Sequence, residues 1–165
     1  HRAHRHNFAS LLKRSEFFLC YMAKFANSER DQQIEFGLRY IEGAAAGTIL
    51  LGDPVDNPAF EDYLGWADSV IPLDAAETAP EAVIEALRDQ PGRIATARRQ
   101  NMVNALMKLD NLYRWRDILK LADLPETRAM GQRQKRLNTL IEMIQNDDGL
   151  DAEGFAMDHA PVSAQ

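Results

Sequence analysis

Three charged residues in one stretch have the types and spacing for ligand chemistry: Glu35, Arg39 and Glu42. At about 100° per residue, a helix places Arg39 about 40° and Glu42 about −20° from Glu35, so the three share one face. Glu42 is followed by Gly43-Ala-Ala-Ala-Gly47, so nothing bulky shields its carboxylate and a ligand or chain can approach closely. A carboxylate in that setting can accept two hydrogen bonds from a vicinal diol, as acidic side chains do for nucleotide ribose. The same spacing also suits a plain i,i+4 Glu35–Arg39 pair on a wet helix, contributing about a few tenths of a kcal/mol. Spacing alone leaves both readings open.

The elements that position these residues follow from periodicity. Asn7–Arg14 reads as a short helix, with Phe8, Leu11 and Leu12 on one side. The apolar run Glu16-Phe-Phe-Leu-Cys-Tyr21 reads as a buried strand. Ser28 then caps a helix to about Ala46, with Ile34, Leu38, Ile41 and Ala45 as its buried stripe and Gly47 as its left-handed stop. Thr48–Leu51 and Ser69–Leu73 are two further strands, with a short helix between them that opens at Pro58. Thr78-Ala-Pro-Glu81 is a capping box for a helix through Val83, Ile84 and Leu87. Helical patterns over about 93–108, 111–122 and 126–145 complete the ordered chain, and 146–165 reads as a disordered acidic tail.

Three short apolar strands separated by helices predict an α/β fold with a parallel sheet of right-handed crossovers. Ligands of such sheets bind beyond the carboxyl ends of the strands. There the N-terminus of the 28–46 helix is a natural anion site, with Lys24 just before it. Asp53 closes the second strand at the same end; Asp-Pro there is equally good turn chemistry.

Composition narrows the classes. In 165 residues there is one cysteine, Cys20, so no intrachain disulfide forms, and its place in a strand suits a buried inert thiol. No apolar run approaches the ~18 residues of a membrane span. The net charge of −6 hides a segregation: +4 over 1–30, −11 over 31–92, +7 over 93–136 and −6 over 137–165. The basic block interleaves with apolar residues at helical spacing, which favours solvated helix faces over a nucleic-acid surface. His1, His4 and His6 have no cysteine or acid beside them and read as a fraying end, not a metal site. Tyr113 and Trp115 are expected to pack a late helix onto the sheet. Phosphate-loop and Gly-x-Gly-x-x-Gly motifs are absent, as is any glycine-flanked serine for hydrolysis.

The segment Ile34-Glu-Phe-Gly-Leu-Arg-Tyr-Ile-Glu-Gly-Ala-Ala-Ala-Gly-Thr48, with Gly52-Asp-Pro54, Trp66-Ala-Asp-Ser-Val-Ile71 and Tyr113-Arg-Trp-Arg116, resembles a known pattern. It is similar to the C-terminal part of group 1-type glycosyltransferases of the GT-B fold, closest to the bacterial spore-maturation-like branch. The resemblance covers roughly residues 5–125. It implies a partial Rossmann-like domain over 1–124 that binds a nucleotide-diphosphate sugar, followed by a C-terminal helix over 125–145. It implies Glu42 as the ribose ligand, Glu35, Gly37 and Arg39 as donor-site supports, and an acceptor domain that precedes this chain. No Asp-x-Asp occurs, so transfer without a metal or other cofactor is expected, with helix N–H groups and Lys24 meeting the leaving-group charge. A non-catalytic nucleotide- or partner-binding module is the rival expectation. A cytoplasmic setting follows from the resemblance, with weak peripheral contact at the inner membrane and a homodimer as secondary expectations.

Overall fold

The computed structural model describes residues 2–21, 37–52, 56, 58–73 and 79–147. Its elements run α1 (Arg2–Lys13), β1 (Phe17–Cys20), α2 (Leu38–Ala46), β2 (Ile49–Gly52), α3 (Pro58–Leu64) and β3 (Ile71–Pro72). They continue as α4 (Pro80–Arg88), α5 (Pro91–Asn104), a π-helical turn (Ala105–Leu109), α6 (Asn111–Leu121) and α7 (Arg128–Gln145). The fold is the expected α/β one: a short three-stranded parallel sheet ordered β1-β2-β3, with a helix-rich C-terminal half.

The central strand is apolar because it is covered on both sides. Ile49, Leu50 and Leu51 are fully buried, and alternation sends them to opposite faces. Leu50 joins Tyr40, Ala44, Phe60, Leu64 and Ala105 on one face. Ile49 and Leu51 join Ile71, Leu73, Leu87, Ile94 and Ala97 on the other. Parallel pairing sets Phe17 against Ile49 and Cys20 against Gly52, so the strands end level at the carboxyl edge. β3 is only two residues long and ends in Pro72, which lacks the N–H a further strand would need.

Helix α2 departs from its sequence reading in two ways. Gly37 is extended at φ −76°, ψ 163°, and occupies the N-cap position, so α2 begins at Leu38; Ser28, the expected cap, lies outside the described residues. The buried stripe is also rotated. Tyr40, Gly43, Ala44 and Gly47 face the sheet, while Leu38 is 69% exposed and Ala45 is exposed. The reason is close packing: a Cβ on Gly43 would lie 2.5 Å from Leu50 Cδ2, so only a face of small residues lets the helix come this near. Gly47 ends the helix in the left-handed region (φ 75°) as expected, its N–H donating to the Ala44 carbonyl at 3.0 Å.

Other boundaries moved for local reasons. Helix α1 starts at Arg2, five residues before the expected Asn7. The helix after Thr78 opens at Pro80 with Ala79 as N-cap and no side-chain cap, because proline is preset for the first helical position; Thr78 itself lies outside the described residues. Trp115 does not pack on the sheet: it is 59% exposed and lines an apolar groove between α6 and α7 with Leu119 and Met130. Tyr113 is half-buried and donates to the Leu106 carbonyl at 3.0 Å. Residues 148–165, read as a tail, lie outside the described residues.

The basic block is largely engaged within the fold. Arg93 grips Asp68 with two hydrogen bonds of 2.8 Å, Arg116 pairs with Glu126, and Arg133 pairs with Asp110. Arg99 donates to the carbonyls of Ile144 and Asp147, and Arg98 is buried.

The Arg93 hydrogen bonds hold the Asp68 carboxyl below the usual carboxylate range. At Asp110 burial pushes upward, but the Arg133 hydrogen bond and the Leu112 N–H outweigh it and the carboxyl again lies low. Depressed carboxyls add stability in full above the unfolded value near ~3.9 and lose it as pH falls through the folded one. Urea unfolding midpoints are therefore expected to fall below about pH 4, and Asp68→Asn, which tolerates the φ of 55° there, should flatten part of that slope. Both pairs are partly exposed, so each contributes at most about 1 kcal/mol.

Asn101 is the polar pin of the core. It is fully buried, accepts from Trp66 Nε1 at 2.8 Å and donates from Nδ2 to the Thr48 carbonyl at 3.1 Å. It thus ties α5 to the start of β2 and to the turn after α3. Asn101→Ala would orphan a buried carbonyl and leave a cavity, at about 2–4 kcal/mol. Urea unfolding checks this: a midpoint close to the parent's would contradict it.

Candidate functional site

The site begins with how α2 meets the sheet. Tyr40, fully buried, donates its hydroxyl to the Cys20 carbonyl at 3.1 Å, fixing the first turn of α2 at the carboxyl end of β1. Its ring also meets Phe60 edge-on, with centroids 6.1 Å apart. With Tyr40 turned inward, Leu38, Arg39 and Glu42 turn outward and face α1.

Between α1 and α2 lies a cleft of about 210 Å³ lined by His4, Arg5, Phe8, Leu38, Arg39 and Glu42. The Arg39 guanidinium sits 4.0 Å over the Phe8 ring, and its Nη1 lies 3.6 Å from Glu42 Oε2. Their side chains are 53% and 44% exposed. At that distance the two attract as charges without a hydrogen bond. Glu42 accepts no hydrogen bond from the described residues, so its carboxylate is open to a donor from solution. Gly37 places no side chain over the first turn, and an added Cβ there would meet nothing within 4 Å among the described residues.

Of the residues expected at the site, Arg39 and Glu42 line the cleft and Gly37 caps the same helix; Lys24, Glu35 and Asp53 lie outside the described residues. Leu38, expected in the buried stripe, shares the open face with Arg39 and Glu42. His4, Arg5 and Phe8 were not read as part of a site. Their i,i+3 and i,i+4 spacing is the signal that could have found them, once the helix is extended back to Arg2.

Cys20, beneath the site, is chemically quiet. Burial pushes its thiol up to about 12 against the opposing charge of Arg39, so no thiolate forms near neutrality. Another cavity, about 410 Å³ between α6 and α7, is lined mostly by apolar side chains, and the Asp110–Arg133 pair closes on itself. Among the described residues no group of three or more His, Cys, Asp or Glu is placed to hold a metal, and no helix is long and apolar enough to cross a membrane.

The fold and site together define an α/β chain with an accessible carboxylate and basic side chains in a cleft between its first two helices, on one face of a parallel sheet. Compared with family models, curated proteins and solved structures, the chain matches none.

Proposed function

We propose that this chain is the donor-binding part of a metal-independent, GT-B-type glycosyltransferase of the bacterial cytoplasm. One observation carries the reading: an accessible Glu42 carboxylate that accepts no hydrogen bond from the described residues, on the helix whose first turn is tied to the carboxyl end of β1, the end at which α/β folds bind nucleotides. Glu42 would accept from both ribose hydroxyls. The diphosphate would lie toward the first turn of α2, where the leading N–H groups and the positive dipole end of a helix favour negative charge. Those dipoles are fixed before reaction, so they stabilise the charge that grows on the leaving diphosphate without reorganising. The acceptor and the group that activates it would belong to a preceding domain.

The test is thermal unfolding of this chain with millimolar UDP or GDP, repeated in EDTA. A diphosphate at 100-fold its dissociation constant adds about 2.7 kcal/mol, raising the midpoint by about 5–10 °C at this size. The expected result is a shift with one of the two, unchanged by EDTA. A shift abolished by EDTA would contradict the metal-independent reading. Binding without sugar transfer, once an acceptor domain is joined, would instead favour the non-catalytic module.

A further inference from the structure

We infer that His4 and Arg5 on α1 are the diphosphate-binding wall of the cleft, opposite the ribose-binding Glu42. This rests on the donor-site reading and assigns it two residues that the motif in α2 does not contain. The polarity of the cleft is divided. On the α2 side, Arg39 is held between the Phe8 ring and Glu42, so its charge is largely answered within that wall. On the α1 side, Arg5 and His4 are exposed and have no carboxylate partner among the described residues.

A ligand that fits must therefore offer hydroxyl donors at one end and anionic acceptors at the other. Ribose bearing a diphosphate does so. Both residues lie in the first turn of α1, a 12-residue helix whose positive end adds to the same field. The volume agrees, because 210 Å³ is below the ~300 Å³ at which pockets for whole small ligands begin. The cleft holds the ribose and phosphates, with the base outside it.

Calorimetric titration of the whole chain with UDP, GDP and the two nucleosides tests this, comparing the parent with Arg5→Ala, His4→Ala and the double variant. Both side chains are exposed, so unchanged unfolding midpoints without ligand serve as the folding control. Each lost charge-assisted contact is expected to weaken the bound diphosphate roughly tenfold or more while nucleoside affinity stays put. A double variant that binds the diphosphate as the parent does overturns the inference and leaves the donor reading standing. Equal losses for nucleoside and diphosphate also overturn it, since they mark a general disturbance of the cleft. A parent chain that binds neither diphosphate overturns the donor reading and this inference with it.

Discussion

Gly52→Ala is expected to destabilise the chain by about 3 kcal/mol or more, the largest effect of any single methyl group described here. Gly52 closes β2 at φ 154°, opposite Cys20 in the ladder. A Cβ built there would lie 1.8 Å from the Cys20 carbonyl oxygen and 2.8 Å from its carbon, both backbone atoms. No rotamer change relieves a clash with backbone, so β1 and β2 must separate at their carboxyl ends. Separation would also strain the hydrogen bond that the Gly52 carbonyl accepts from Leu73 N–H at 3.0 Å. At about 2–4 °C per kcal/mol for this size, the midpoint should fall by about 6–12 °C. Gly92→Ala, where a Cβ meets nothing within 4 Å inside helix α5, is the matched control and should leave the midpoint unchanged or slightly higher. Equal midpoints for the two variants would show that β2 ends in a different conformation.

The Glu42→Ala effect is expected on binding and not on stability. Among the described residues Glu42 makes only a 3.6 Å ion pair between half-exposed side chains, so its loss should scarcely move the unfolding midpoint. In the complex it would accept two hydrogen bonds from the ribose diol. Hydrogen bonds to a charged group contribute about 1.5–3 kcal/mol each; with the cost of desolvating the carboxylate set against them, about 2–3 kcal/mol should be lost. That corresponds to roughly 30- to 150-fold in dissociation constant. Glu42→Gln keeps the shape and one acceptor, and should fall between.

Much of the fold was legible because β-strands and turns carry strong local signals. The runs around Phe17–Cys20, Ile49–Gly52 and Ile71–Pro72 are short and apolar, and their spacing around helices predicts parallel pairing. Gly47 and Pro58 mark helix ends by backbone chemistry alone. The orientation of α2 was only partly legible: apolar bulk pointed to Ile41, which packs on the core, but also to Leu38, which is exposed, while the packing rewards small residues. Which side of a helix lies on a sheet depends on how near the backbones come, and Gly43 reports that only against Leu50. The site was half legible for a related reason. Arg39 and Glu42 sit in one motif, three apart, and meet on one face. His4, Arg5 and Phe8 belong to another helix, and only the tertiary contact of α1 with α2 brings them to the cleft. The charge pattern over 93–136 likewise needed the structure to show that Asp68, Asp110 and Glu126 answer its arginines.

Paired calorimetric titrations of the parent and Glu42→Ala with UDP and GDP decide whether Glu42 holds the ribose of a nucleotide diphosphate. The parent should bind one of the two diphosphates, and the variant should bind it at least about thirtyfold more weakly with an unchanged unfolding midpoint. The same affinity in both chains would contradict the assignment of the ribose to Glu42.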